Sequence, residues 1–240
     1  MNITLSPFTL SLFLECPRCF WLHVNKGIKR PSFVFPSLPS GMDSILKKHF
    51  DEHRRNESLP EELDGFEGHL FRDAMKLKKW RSNAHGLRFM DERTGVTLMG
   101  AIDDLFVTSE GKYAPIDFKT RGFPRKENTH EHYQYQMDVY SYLLEKNSLE
   151  PADFAILIFY HPVGVDEKHN VTFDPDPVKV PVDRRKGEKI FRDAVHCLMG
   201  DKPEPSKNCE FCRWAERLNE RETKDQKLPR QKGLLEFQKV

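Results

Sequence analysis

The chain has almost no net charge. Its 38 lysines and arginines against 37 aspartates and glutamates leave +1 at pH 7 with histidine neutral. A globally basic surface, the usual footprint of a nucleic-acid coat, is excluded, so a polyanion has to be met by a local patch. Long apolar runs are missing as well, and none approaches the roughly 20 residues that a membrane helix needs. The first residues lack a basic n-region and a small-residue cleavage site, so no secretory signal is expected. We therefore expect a cytoplasmic protein. No internal repeat and no low-complexity tract occurs, which sets solenoids and long disordered tracts aside. Cysteine is scarce, five in 240 residues, and in a reducing compartment thiols serve more often as metal ligands than as disulfides. The length is enough to bury a full core.

What the chain does have begins at residues 97–120, TLMGAIDDLFVTSEGKYAPIDFKT. Ile102, Leu105, Phe106 and Val107 precede Ser109-Glu110-Gly111, and Tyr113, Ile116 and Phe118 follow it. This predicts a hairpin whose three-residue loop ends on Gly111 in the left-handed conformation. Thr108 then faces Lys112, and counting back along both arms sets Asp103 opposite Asp117. Facing residues share a side of the sheet with Cβ atoms about 5 Å apart. Lys119, two residues on, returns to that side, while Phe118 points the other way, towards Ile102. Two carboxylates so placed can share a divalent cation of the magnesium kind, and an adjacent lysine can position or deprotonate the attacking water or stabilise charge on a phosphate. The competing reading is a surface hairpin with an ordinary Asp–Lys ion pair.

The cysteines form two CxxC pairs near opposite ends, Cys16/Cys19 and Cys209/Cys212, with Cys197 between them. Each pair can aim both sulfurs at one centre, and four thiolates suit zinc or an iron–sulfur cluster. Cys197 lies on the apolar stripe of a predicted helix and reads as a buried thiol.

The remaining elements predict an α/β fold, a central mixed β-sheet flanked by helices. Ser6-Pro7 reads as an N-cap followed by proline at the first helical position. Residues 27–41 form a proline-punctuated loop, and 41–55 a helix. Residues 71–80 suggest a short charged helix, 87–91 and 96–107 strands, and 120–129 a loop whose Arg121, Arg125 and Lys126 could meet a phosphate backbone. Residues 131–146 form the clearest helix, with Gln136 and Tyr140 four apart on one side. FAILIFY at 154–160 suggests a central strand covered on both faces. Residues 171–173 and 178–182 suggest a strand or pair at the proline-bearing edge. Residues 184–199 form an amphipathic helix, and the charged tail after Trp214 an exposed helix with a loose end.

Gly100-Ala-Ile-Asp103, Ile116-Asp117-Phe118-Lys119-Thr120 and Gln136-Met-Asp-Val-Tyr140, in this order and spacing, resemble the successive motifs of RecB-type nucleases of the PD-(D/E)xK superfamily. Leu5-Ser6 and Cys16-Pro17-Arg18 resemble the opening of the CRISPR-associated iron–sulfur exonucleases and their bacterial relatives. The resemblance implies a restriction-endonuclease-like core within one domain spanning 1–240, with the core at about 84–200 and cysteine-bearing ends at about 5–25 and 197–215. It implies a Mg2+- or Mn2+-dependent nuclease acting on DNA, as an exonuclease on single-stranded ends. Asp103 and Asp117 would hold the metal, Lys119 would assist the water, and Gln136 and Tyr140 would brace the site. Related nucleases carry a metal-binding or positioning histidine on a nearby helix, where His49 is the counterpart. It also implies a [4Fe–4S] cluster on Cys16, Cys209, Cys212 and, in place of a missing third C-terminal cysteine, Cys19, with zinc as the alternative. DNA repair and spacer acquisition are both compatible with it. Two other readings compete: a nucleic-acid-binding or scaffold module without cleavage, and a zinc-stabilised structural protein.

Overall fold

The computed structural model describes residues 3–31 and 36–225, the last six of these as backbone. The loose C-terminal end expected beyond them, and part of the loop at 27–41, lie outside the described residues.

Ser6 caps the first helix. Its hydroxyl accepts from Thr9 N–H while the Thr9 hydroxyl accepts from Ser6 N–H, with Pro7 at the first helical position, a reciprocal cap. This helix, α1 (Pro7–Glu15), follows the two-residue strand β1 (Thr4–Leu5) and leads directly into α2 (Pro17–Lys26). Then come α3 (Ser37–Arg55), a 3-10 turn (Glu61–Leu63), β2 (Gly68–Leu70) and α4 (Ala74–Trp80). Strands β3 (Leu87–Asp91), β4 (Val96–Gly100), β5 (Asp104–Thr108) and β6 (Tyr113–Thr120) precede α5 (Gln134–Lys146). The chain continues through β7 (Phe154–Val165), β8 (Val171–Pro181), α6 (Arg184–Met199) and α7 (Glu210–Asp225).

The strands form two sheets, β1-β4-β3 and β2-β5-β6-β7-β8. The larger is mixed: β6 and β7 run parallel, joined by α5 as the crossover, and the other pairs are antiparallel. This is the expected α/β arrangement of mixed sheet and flanking helices. Several details differ from expectation. Residues 96–107 are not one strand, because the chain leaves the small sheet at Gly100 and enters the large one at Asp104. The centre of the large sheet is β6, with FAILIFY beside it in β7. The edge is a single strand, β8, in which Pro175, Pro177 and Pro181 face Tyr160, Ile158 and Phe154. These positions share one parity, so their missing N–H groups all fall where an antiparallel ladder makes no bond to β7.

Two apolar clusters cover the large sheet. One holds Leu105, Ile102, Leu157 and Phe159 with Met137, Tyr140 and Leu144 of α5 and Phe191 of α6. The other holds Phe106, Ile116, Phe118 and Ile158 with Leu46 and Phe50 of α3. Phe118 therefore packs on Phe50, ring centroids 4.8 Å apart, and not on Ile102, which belongs to the opposite cluster.

Candidate active site and cysteine centre

Gly111 adopts φ +79 and its N–H donates to Thr108 O. The register that follows pairs Asp104 with Ile116 and Val107 with Tyr113. Extended by one pair it sets Asp103 across from Asp117, as the three-residue loop predicts. The two strands are locked at that point, since Phe118 N–H donates to Asp103 Oδ2 at 2.9 Å.

Lys119 forms an ion pair with Asp117 Oδ2 and donates to Gln136 Oε1 at 3.2 Å. Gln136 Nε2 donates both to Asp117 Oδ1 and to the Tyr140 hydroxyl, each at 2.9 Å, and that hydroxyl donates to Ala101 O at 2.6 Å. The first two turns of α5 thus tie β6 to the segment that carries Asp103. Gly100 makes this possible: a Cβ there would sit 2.9 Å from a ring carbon of Tyr140 and 2.8 Å from Leu143. Asp117 is buried, and burial, opposed by Lys119 and reinforced by the nearby Asp103, pushes its carboxyl up to about 6. Burial pulls the Lys119 ammonium down, but the Asp117 carboxylate outweighs it, so the lysine stays charged above the ordinary lysine range.

The opposite wall is α3. Lys47 Nζ lies 2.9 Å from Asp103 Oδ1 and 2.7 Å from Asp43 Oδ2. Burial and the neighbouring Asp103 raise the Asp43 carboxyl above its ordinary value. Asp43 and Lys47 were missed in the sequence; their spacing of four, two residues past Gly41, was the available signal. His49 does not reach this cluster. Its Nε2 sits 3.4 Å from Glu62 Oε2 and its ring packs edge-on against Phe50 and His53. At about 100° per residue, two residues past Lys47 lies about 200° around the helix, away from the carboxylates.

Three carboxylates and two ammoniums therefore converge at one end of β6. The Lys47 ammonium already bridges Asp43 and Asp103, and among the described residues Asp117 Oδ2 has no partner but Lys119. Hard oxygen donors are the kind that a magnesium- or manganese-class cation takes, but among the described residues only the four cysteines below are grouped closely enough to hold a metal ion as they stand.

Beneath the pair lies a charge network of another purpose. Asp104, fully buried, pairs with Arg54 and, at 2.7 Å, with Arg81. Both arginines also pair with Asp51, and Arg81 Nε donates to Asp103 O at 2.6 Å.

The loop after β6 is less free than its composition suggests. Arg125 is engaged by Asp176 Oδ2 at 2.7 Å, whereas Phe123 is 80% exposed.

The four cysteines of the CxxC pairs meet. Their sulfurs all lie within 4.8 Å of one another, with Cys16–Cys212 at 3.8 Å, Cys19–Cys209 at 3.6 Å and Cys19–Cys212 at 3.5 Å. This joins the N- and C-terminal segments. Burial raises the Cys19 and Cys212 thiols. For Cys16 burial acts the same way, but the backbone N–H groups of Cys19 and Ser206 outweigh it and bring the thiol to about 7. Cys197 stands apart in α6, packed against the first apolar cluster.

A family model described as the PD-(D/E)XK nuclease superfamily matches residues 36–217. The chain belongs to that superfamily. Its members are generally metal-dependent nucleases, and the motifs holding Asp103, Asp117 and Lys119 fall within the matched stretch. No curated protein matches the chain. Among solved structures, one described as the crystal structure of SSO0001 is similar over 90% of this chain and 85% of its own, with 14% identity and a TM-score of 0.41. Among the described residues of this superfamily member, no helix is long and apolar enough to cross a membrane.

Proposed function

We propose that the protein is a Mg2+- or Mn2+-dependent deoxyribonuclease that hydrolyses phosphodiester bonds from single-stranded ends, residues 1–240 acting as one nuclease domain. The observation that carries this reading is the convergence of Asp103 and Asp117 with Lys119 on one face of the hairpin, closed by Asp43 from α3. Asp103, Asp117 and Asp43 would hold the cation, with a carbonyl from Ile116 or Phe118. When bound, the ion supplies Lewis-acid stabilisation of charge on the phosphoryl oxygens and the leaving 3′-oxygen. Lys119, kept as an ammonium by Asp117, orients the attacking water and offsets charge in the transition state. Gln136 fixes the rotamers of Asp117 and Lys119 together, and Tyr140 fixes Gln136.

Preference for single strands is supported by Phe123, an exposed ring four residues beyond Lys119. Unpaired bases stack on such rings for about 1–3 kcal/mol each, which a duplex cannot match. Phe123→Ala should weaken binding of a single-stranded oligonucleotide about 5- to 150-fold and leave duplex binding unchanged, as read by fluorescence anisotropy. Equal weakening of both would sink the stacking role.

The direct test is a time course on end-labelled linear and on circular single-stranded DNA. Shortening of the linear strand in Mg2+ or Mn2+, abolished by EDTA, with the circle left intact, supports the reading. Nicking of the circle removes the requirement for an end, and no metal-dependent cleavage of either removes the activity.

A further inference from the structure

We propose that Cys16, Cys19, Cys209 and Cys212 hold a single tetrahedral zinc ion, and that the [4Fe–4S] cluster implied by the family resemblance does not fit this chain. The argument is one of spacing. A lone zinc bound by four thiolates at about 2.3 Å sets neighbouring sulfurs about 3.8 Å apart. Iron–sulfur clusters bond cysteines to different irons and spread those sulfurs to about 6 Å. Here three sulfur pairs lie at 3.5, 3.6 and 3.8 Å, and none of the six separations exceeds 4.8 Å. These separations match a single ion and fall short of the spread that a cluster with bridging sulfides needs.

The surroundings agree with a compact anionic centre. Cys16 is the N-cap of α2 and Cys19 its third residue, and Cys209 and Cys212 stand in the same relation to α7. Two helix N-termini therefore point their positive ends at the sulfurs. Ser206 N–H donates to Cys16 Sγ at 3.4 Å, and the Arg30 guanidinium lies 3.9 Å from Cys209 Sγ. Arg30 is held there by an ion pair to Glu15 and by stacking on Phe211, 4.6 Å from the ring centroid. Four thiolates on a divalent ion carry a net double negative charge, which these donors offset. Cys197 is no part of the group.

The test is metal content of full-length protein purified anaerobically from cells supplied with both iron and zinc. We expect one zinc per chain, a colourless preparation and a single shell of sulfur neighbours in zinc X-ray absorption. Replacement by cobalt should produce the visible bands of a tetrahedral tetrathiolate. Cys19→Ser and Cys212→Ser should lose the ion, whereas Cys197→Ser should keep it. Should the serine variants fail to fold, release of one zinc equivalent from the wild type by an organomercurial gives the same information. Iron with acid-labile sulfide, one iron without sulfide, or no stoichiometric metal would each overturn the proposal. None of these readouts involves cleavage, so they bear on the centre independently of the nuclease reading.

Discussion

Asp117→Ala should retain single-stranded DNA binding and lose cleavage by about 1,000-fold or more. A divalent ion and the lysine beside it together stabilise phosphoryl-transfer charge by several kcal/mol, and each tenfold in rate corresponds to about 1.4 kcal/mol. On the proposed reading Asp117 would touch both partners of that work. It pairs with Lys119 and accepts from Gln136, so its removal loosens the ammonium and, on the proposed reading, would empty a ligand position at once. Lys119→Ala should cost a similar factor. The double variant should be scarcely slower than either single variant, because residues that act as a unit lose their contribution together. Single-turnover rates with bound DNA in excess Mn2+ separate chemistry from binding. If Asp117→Ala cleaves within tenfold of the wild type, the carboxylate is not where the reaction occurs. The same residue should report the ion without any substrate. Mg2+ or Mn2+ should raise the melting temperature of the wild type and leave that of Asp117→Ala unmoved, since a ligand stabilises only a fold that binds it.

The second large effect is on stability and falls one residue away from the site. Asp104→Ala should destabilise the fold by about 3–5 kcal/mol, because it strands charges that are out of water. Asp104 is fully buried, and the side chains of Arg54 and Arg81 are 4% and 12% exposed. In a chain of this size that corresponds to a melting temperature about 6–20 °C lower. Asp103→Ala, by contrast, removes a carboxylate that is 18% exposed and sits beside Lys47; it should lose activity first and stability second. Denaturant melts of the two variants side by side decide the matter. Equal stabilities would mean that the buried network does not hold the hairpin.

That contrast shows how far the sequence could be read. The hairpin register was legible because one glycine fixes the turn, and a fixed turn fixes every facing pair along both arms. The meeting of the CxxC pairs was legible because thiols in that pattern have few other uses. The distinction between Asp103 and Asp104 came only through the register; nothing local showed that Arg54 and Arg81, 50 and 23 residues earlier, close over the second of them. The α3 wall was misassigned to His49 for a related reason. Helical periodicity tells which residues share a face, but the rotation of that face towards the site is set by packing, here by Leu46 and Phe50 against the sheet. The break at residues 101–103 was hidden because Ile102 sits between the apolar Leu98-Met99 and Leu105-Phe106 while the chain changes sheets. The grip of Asp176 on Arg125 depends on a distant edge strand and left no mark in the loop itself.

The cysteine centre also sets an order of events during synthesis. Cys19 and Cys209 are separated by 190 positions. At about 5–20 residues per second, the first pair of thiols waits on the ribosome for about 10–40 s before the second is made. The clasp between these N- and C-terminal segments is thus a late event for a nascent molecule. Until it closes, the early pair has to stay reduced if it is to take up the proposed ion.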